Sequence, residues 1–178
     1  MSRTEIVKIL KNGGIGVMPT DTIYGLVGSA FLKRAVERIY KVRKRDKKKP
    51  FIILISSVED LKRFHITSSI KHLTIFKKIW PGPVSVIMPL PIGRQAVRKF
   101  RYLHRGTKTL AFRVPNNKKL RVFLKRTGPL IAPSANISGK PPAKTITEAR
   151  KYFGERVDFY VNGGKITGSP SMILEIKR

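Results

Sequence analysis

The sequence has 178 residues, 41% of them hydrophobic, which is enough for one domain with a core of its own. Its 38 Lys and Arg against 10 Asp and Glu give a formal net charge of +28, which favours contact with polyanions such as nucleotide phosphates or RNA. The absence of cysteine excludes disulfides, thiolate nucleophiles and Cys-containing zinc motifs, and apolar runs such as 51–55 are too short to cross a bilayer. We therefore expect a single cytoplasmic domain over residues 1–178.

Helical and strand patterns alternate along the chain. Ser2 and Glu5 have capping-box spacing and open a first helix that ends at Gly13. Capping residues and apolar periodicity predict further helices at residues 31–40, 57–64, 70–79, 120–124 and 145–152. Short apolar runs predict strands at residues 15–18, 51–55, 84–88, 110–114, 129–132, 157–161 and 172–176. Because no repeat period or linker interrupts this series, we expect an α/β sheet of mixed direction covered by helices.

One long segment lacks a convincing pattern. Residues 91–109 are rich in Arg, Lys and Gly and separate two predicted strands. We predict a long basic surface loop here. Loops of this length inside a compact domain are more often functional than idle.

A polar segment, PTDTIYG at residues 19–25, directly follows the predicted strand at 15–18. Ligand sites in open α/β sheets form just beyond the carboxyl ends of strands, so Thr20, Thr22 and Tyr24 are candidate binding residues. The alternative is a turn whose Thr and Asp side chains bond the local backbone while Tyr24 packs into the core. The segment by itself favours this alternative.

A run of nine residues, KVRKRDKKK at 41–49, contains seven cations between a predicted helix and a predicted strand. Lys41 offers a mobile point charge and Arg43 a planar fork, a combination suited to a polyphosphate. Cations at the carboxyl end of a helix also stabilise the helix dipole, which is the structural explanation for such a run. Seven cations with one intervening acid exceed what that explanation requires.

A second polar loop, PSANISG at residues 133–139, follows the predicted strand at 129–132. Ser134 and Asn136 point to the same side if the backbone between them is extended, so a hydroxyl and an amide can act together. The alternative is an ordinary turn rich in Ser, Asn and Gly. This loop alone favours the turn.

Other kinds of site find little support in the sequence. His65, His72 and His104 have no local acidic cluster, so we expect surface or packing roles for them and assign no metal ligands. There is no Walker A loop and no Rossmann glycine fingerprint. A nucleotide site in this chain must therefore be of another kind.

Six sequence blocks together carry a family resemblance: PTDTIYGL, YKVRKRDKKKPFIILI, WPGPVSVIM, AFRVP, APSANISGKPP and GSPSMI. In this order they resemble the YrdC-type family of threonylcarbamoyl-AMP synthases over nearly the whole chain, including its Lys-x-Arg and Ser-x-Asn pairs. The resemblance implies a twisted, mixed parallel and antiparallel sheet flanked by helices around a basic cavity. It also implies the single-domain form of the family.

The resemblance implies a reaction as well. L-threonine, bicarbonate and ATP, with Mg²⁺, would give threonylcarbamoyl-AMP and pyrophosphate for the t6A modification at position 37 of tRNA. A downstream tRNA threonylcarbamoyl-transferase would accept this product. Such a reaction would need no covalent enzyme intermediate, and the protein would contribute alignment and cations at the oxygens where charge accumulates.

Site residues follow from the matching motifs. Lys41 and Arg43 would hold the nucleotide phosphates and the developing carbamate, with Ser134 and Asn136 on the opposite wall. Arg113 suits the carboxylate of the amino acid. The full set that the resemblance assigns to ATP and threonine binding is Thr20, Thr22, Tyr24, Lys49, Arg113 and Ser171.

Two other functions are open on the sequence alone. The first is a non-catalytic module that binds tRNA or double-stranded RNA, because a charge of +28 would give strong, salt-sensitive attachment. The second is a domain that handles carbamoyl phosphate, as YrdC-like domains do within larger carbamoyltransferase-type maturation factors. RNA binding and catalysis are compatible, since a basic face can keep an enzyme near tRNA.

Overall fold

The computed structural model describes residues 1–67, 69–91 and 94–176. The strands of this part of the chain are β1 (Ile15–Pro19), β2 (Tyr24–Ser29), β3 (Ile52–Leu54), β4 (Val84–Pro89), β5 (Thr109–Arg113), β6 (Leu130–Ile131), β7 (Phe159–Tyr160) and β8 (Met172–Glu175). They form one sheet in the order β7-β1-β2-β6-β3-β5-β4-β8. The pairs β1/β7, β3/β5 and β4/β8 are parallel and the other neighbours are antiparallel, so the predicted mixed sheet is confirmed.

The α-helices are α1 (Arg3–Lys11), α2 (Lys33–Arg43), α3 (Ile70–Ile79), α4 (Arg94–Lys99), α5 (Arg101–His104), α6 (Lys118–Thr127) and α7 (Ile146–Phe153). The capping box that opens α1 is present, since Ser2 Oγ accepts from the Glu5 N–H at 3.2 Å and a Glu5 carboxylate oxygen accepts from the Ser2 N–H at 2.6 Å. Residues Val58–Phe64 form a 3₁₀ helix instead of the predicted α-helix. No helix in the described ranges is long and apolar enough to span a membrane.

The two faces of the sheet are covered unequally. Because successive strand residues point to opposite faces, Leu26 and Ile53 belong to a large apolar cluster, whereas Val27 and Leu54 belong to a smaller one. Helices α2, α3, α5 and α7 contribute to the large cluster, and α1 and α6 to the small one. Two helices are too few to cover eight strands, so part of the second face is open.

Strand β2 was not predicted from the sequence, which assigned residues 19–25 to a loop. All of its residues are buried. Gly25 and Gly28 concealed it, since glycine is depleted in strands. A Cβ at Gly28 would lie 3.0 Å from side-chain atoms of Ile15 and Ile39, so glycine allows α2 to pack closely on this strand.

The prediction of a long basic loop at residues 91–109 is wrong. Beyond residues 92 and 93, which lie outside the described ranges, this segment forms α4 and α5. Three of its apolar side chains, Ala96, Phe100 and Leu103, are buried. The many cations between them hid the helical period, because a short helix needs only a few apolar residues to anchor it.

Candidate active site

The open part of the second sheet face contains a pocket of about 470 Å³. Ile52, Ile87, Ala111 and Arg113 line it from three strands and alternate with residues of the large apolar cluster. The loops after β1, α2 and β6 and the segment before β8 complete the walls. Three arginines and several hydroxyl groups face this space: Arg43, Arg45, Arg113, Thr20, Thr22, Thr107, Thr109, Ser134 and Ser171.

Arg43 ends α2 and is only 3% exposed. Its Nε donates to the Asn136 carbonyl at 3.0 Å, and its Nη2 donates to Asn136 Oδ1 at 2.8 Å and Ser134 Oγ at 3.2 Å. The Asn136 amide nitrogen in turn donates to the carbonyls of Ile137 and Lys140, which fixes the direction of the Asn136 oxygen. The Ser-x-Asn pair therefore orients this guanidinium, and Ser134 lies on the same wall as Arg43 and not on the opposite one.

The charge of Arg43 has no carboxylate partner among the described residues. Burial, followed by the nearby positive charge of Arg45, lowers the pKa of Arg43 to about 10, so the group is still cationic at neutral pH. A buried cation surrounded only by neutral acceptors is incompletely compensated. Such a group is suited to receive an anionic ligand.

Arg113, at the end of β5, is a second buried arginine with a different environment. Its Nη1 pairs with Asp21 Oδ1 at 2.8 Å, and its Nη2 donates to Thr22 Oγ1 at 3.4 Å. The Asp21 side chain is held by the backbone N–H of Asn116, which donates to Oδ2 at 2.9 Å. Burial lowers the pKa of Arg113 and Asp21 opposes this effect. Arg113 Nε is buried without a hydrogen-bond partner.

Thr20 organises the loop between β1 and β2. Its Oγ1 donates to the Ile23 carbonyl at 2.7 Å and accepts from the N–H groups of Thr22 and Ile23, both at 3.3 Å. The turn interpretation of this segment is thus right for Thr20 and for the buried Tyr24, whereas Asp21 bonds Arg113 and Asn116 instead of the local backbone. Thr20 and Thr22 nevertheless line the pocket as well.

Some predicted site residues lie outside the pocket lining. Tyr24 is fully buried, and its hydroxyl accepts from the Gly163 N–H and donates to the Gly164 carbonyl, both at 2.8 Å. It therefore anchors the chain that follows β7. Lys41 and Lys49 have exposed side chains and do not belong to the lining described above.

Arg45 is a lining residue that the sequence analysis did not single out. Helix α2 ends at Arg43 and Lys44 adopts a left-handed conformation with φ 52°, after which Arg45 reaches the pocket. Two cations separated by one residue do reach the pocket, but they are Arg43 and Arg45 instead of Lys41 and Arg43. Both pairs of cations lie in the run 41–49, and only the position of the helix end decides which pair reaches the pocket.

Three hydroxyl residues line the part of the site beside β4 and β5. Thr107 and Thr109 were missed because residues 91–109 were interpreted as an irregular loop. Ser171 was predicted, and its Oγ lies 2.8 Å from Oγ of Ser85, which is fully buried. Hydroxyls therefore line the pocket beside β4 and β5 as well as beside β1 and β2.

Histidines take no part in this pocket. The described residues contain no group of three or more His, Asp or Glu that could hold a metal ion. His104 is buried, with Nε2 2.8 Å from the Val97 carbonyl and Nδ1 accepting from the Gly106 N–H. It stabilises the turn after α5, in line with the packing role expected of it.

The protein is therefore an α/β protein whose mixed sheet has an arginine-lined pocket on its partly open face. The model of the Sua5/YciO/YrdC family, which is described as "Telomere recombination", matches residues 8–178. The chain belongs to this family.

Individual relatives agree with this assignment. The threonylcarbamoyl-AMP synthase of Marinobacter nauticus is 31% identical over 175 residues, which cover 92% of this chain and 85% of the relative. That of Bacillus subtilis is 32% identical over 162 residues, or 90% of this chain and 45% of the relative. The structure of P. abyssi Sua5 complexed with L-threonine has a TM-score of 0.85 and 27% identity over 98% of this chain and 50% of that one. This chain thus spans about half the length of the latter two proteins.

Proposed function

We propose that this chain is an L-threonylcarbamoyladenylate synthase, a nucleotidyltransferase that uses L-threonine, bicarbonate and MgATP. The observation that carries the proposal is Arg43, a buried cation without a carboxylate partner, which Ser134 and Asn136 orient at a pocket lined by further arginines. The names of the relatives and the bound L-threonine of the P. abyssi protein support the same reaction. We infer that residues 1–178 form one catalytic domain.

The reaction needs two bonds to form. The threonine nitrogen bonds to the carbon of bicarbonate and water leaves, which gives a carbamate. A carbamate oxygen then bonds to the α-phosphorus of ATP while the bond to the pyrophosphate oxygen breaks. The products are threonylcarbamoyl-AMP and pyrophosphate. Because the nucleophiles belong to the substrates, the protein has to align them and stabilise negative charge on the phosphates.

The pocket offers two distinct cationic positions for these tasks. Arg43 and Arg45 would bind the phosphates and the developing carbamate, because neither has a carboxylate partner among the described residues. Arg113, which Asp21 already holds in place, would bind the threonine carboxylate next to Thr22. The hydroxyls of Thr20, Ser134 and Ser171 would complete the polar contacts.

Four residues that the resemblance implies receive indirect roles or none, and the first of them, Asn136, orients Arg43. Tyr24 anchors the chain behind the pocket, while Lys41 and Lys49 lie outside its lining. Mg²⁺ would enter bound to the triphosphate, as part of the substrate, because the described residues offer no carboxylate cluster for it. The product would serve t6A formation at position 37 of tRNA through a downstream transferase.

Mass spectrometry of the reaction mixture tests this function. The mixture contains MgATP, L-threonine and isotope-labelled bicarbonate, with a threonine-free control and an Arg43→Ala variant. We expect a labelled adenylate that requires threonine and is absent with the variant. In a parallel mixture with carbamoyl phosphate in place of threonine and bicarbonate, adenylate formation would support a carbamoyl-phosphate domain instead. No adenylate from folded protein that still binds RNA would leave the RNA-binding module as the function.

A further inference from the structure

His104 is a buried polar residue that the proposed reaction does not use. It ends α5, is only 2% exposed and does not belong to the pocket lining. Its Nε2 lies 2.8 Å from the Val97 carbonyl, and its Nδ1 accepts from the backbone N–H groups of Gly106 at 3.0 Å and Lys108 at 3.4 Å. A ring nitrogen that accepts from two N–H groups carries no proton. The imidazole is therefore neutral, and Nε2 donates its proton to Val97.

The turn after α5 depends on such support because of its backbone conformation. Arg105, Gly106 and Lys108 have positive φ values of 52°, 102° and 59°, and two of these residues carry a Cβ that disfavours this region. Strained residues persist only where the surrounding contacts hold them. His104 supplies two of these contacts, and the Leu90 N–H donates to the Lys108 carbonyl at 2.9 Å. The turn is thus held between a buried imidazole and the end of β4.

This turn presents two hydroxyl groups to the pocket. Thr107 Oγ1 donates to the His104 carbonyl at 2.7 Å and accepts from Thr109 Oγ1 at 3.1 Å. Both threonines line the pocket. Because a hydroxyl accepts as well as donates, Thr109 Oγ1 can also receive a hydrogen bond from a ligand. Any change in the turn would move both hydroxyls relative to that ligand.

The place of Thr109 in the sheet indicates which substrate it faces. Thr109 begins β5 and Arg113 ends it, so roughly 13 Å of strand separate them at about 3.3 Å per residue. Arg113 is the residue assigned above to the threonine carboxylate. A threonine molecule is shorter than this separation, whereas ATP is long enough to extend along the pocket. The turn therefore lies at the ATP end of the site.

We propose that His104 is a positioning residue for ATP, because its neutral ring holds the turn that presents Thr107 and Thr109 to the nucleotide. The identity of the nucleotide rests on the proposed function. His104 touches no substrate itself and acts only through the turn.

Two substitutions separate the hydrogen bonds of the two ring nitrogens. In His104→Asn, the amide oxygen takes the place of Nδ1 and still accepts from the Gly106 N–H, as in an Asx-turn, but the bond to Val97 is lost. In His104→Gln, the amide nitrogen reaches the place of Nε2 and donates to Val97, but the acceptor for the turn is lost. The matched control is His65→Gln, which changes an exposed histidine with φ 61° outside the pocket lining.

Calorimetric titration with ATP, initial rates of adenylate formation and thermal unfolding compare these variants. His104→Gln should raise Kd and KM for ATP about fivefold to tenfold and leave KM for threonine within about twofold of wild type. His104→Asn should stay within about twofold of wild type for ATP, as should His65→Gln. His104→Asn should nevertheless unfold at a lower temperature than His104→Gln, because the shorter side chain fills less of the buried site.

ATP affinity and thermal stability should thus rank the two His104 variants in opposite orders, which a purely structural role would not produce. Equal Kd values for ATP in the two variants, a loss of ATP affinity that follows thermal stability, or an equal rise in KM for threonine would overturn the proposal.

NMR of the wild-type protein decides the matter if His104→Gln does not fold. The nitrogen signals of the His104 ring should show a proton on Nε2 and none on Nδ1. The amide signals of Gly106 and Lys108 should shift when ATP is added and stay in place when threonine alone is added. A proton on Nδ1, or amide signals that ATP leaves unmoved, would overturn the positioning role.

The ATP titration requires no turnover, so it separates this proposal from the proposed function. ATP binding without adenylate formation, with the expected order of variants, would refute the synthase and keep the positioning role. Adenylate formation with the same KM for ATP in every variant would keep the synthase and overturn the positioning role. No ATP binding by wild type would overturn both.

Discussion

The same strands form both faces of the sheet, but one face is buried under helices and the other lines a pocket. On the face covered by α2, α3, α5 and α7, side chains such as Phe112 and Val86 are fully buried in apolar surroundings. On the other face, the next residues along the same strands, Arg113 and Ile87, line a pocket. The difference shows that the helices determine which alternating set of strand residues becomes core and which becomes a binding surface.

The comparison also separates two kinds of buried arginine on the open face. Arg113 is paired with Asp21, whereas Arg43 has only neutral acceptors. The first arrangement resembles a finished structural ion pair with one donor, Nε, unused. The second arrangement leaves the positive charge of Arg43 without a carboxylate partner in the described part of the chain, so an anionic ligand can pair with it.

The largest effect should come from Phe112→Ala on the covered face. Phe112 is fully buried and its ring lies 4.9 Å from the Phe64 ring centroid in an edge-on arrangement. Removing it should lower the free energy of unfolding by about 3–5 kcal/mol, because a cavity remains in the core. Denaturant titration measures this change. A loss of less than about 1 kcal/mol would contradict the assignment of this face to the core.

Arg43→Gln should lower kcat/KM for adenylate formation by about 10²–10³-fold, because a preorganised cation at the phosphates is lost. The matched variant Lys41→Gln removes one positive charge two residues earlier in the same helix, from an exposed position. It should stay within about twofold of wild type. Equal losses for the two variants would show that Lys41, as the resemblance implies, takes part in the reaction.

Ala111→Phe should act on the pocket and leave the core intact. Ala111 lies between two core residues of β5, but its side chain faces the pocket. The larger ring should raise KM for ATP about tenfold or more by filling part of the space, while stability stays within about 1 kcal/mol of wild type. Steady-state kinetics and denaturant titration together check this result. A stability loss as large as that of Phe112→Ala would contradict the open face.

Asp21→Asn should have the smallest of these effects on the kinetic constants, and the kinetic effect should be confined to KM for threonine. The substitution keeps a hydrogen-bond acceptor for Arg113 but removes the charge that holds its guanidinium. We expect KM for threonine to rise about tenfold and KM for ATP to change less than twofold. Initial rates with each substrate varied in turn separate the two constants. Equal increases in both would show that Arg113 does not distinguish the substrates.

Sequence patterns were sufficient where local physics decides the outcome. The capping box of α1, the apolar run that becomes β3 and the mixed α/β class all follow from residues close together in the chain. The six ordered blocks, each a short run of neighbouring residues, indicated the family. The sequence also placed polar residues such as Thr22 and Ser134 beyond predicted strands, and both line the pocket.

Long-range packing decided what the patterns left open. Strand β2 was missed because the close packing that favours Gly28 involves side chains of α2, which is distant from it in the chain. Helices α4 and α5 were missed because their few apolar residues gain meaning only from the core that receives them. The register of the cations was likewise set by the end of α2, which directs Arg43 and Arg45 inward and leaves Lys41 exposed.

The sequence by itself thus determined the class of fold, most of its elements and the chemical character of the site. Tertiary structure alone decided which side chains share the pocket and that Asn136 supports Arg43 instead of lining the cavity. The physical reason is that helix and strand patterns depend on neighbours along the chain, whereas burial, pairing and charge compensation depend on residues far apart in it, such as Arg43 and Asn136, which are 93 positions apart.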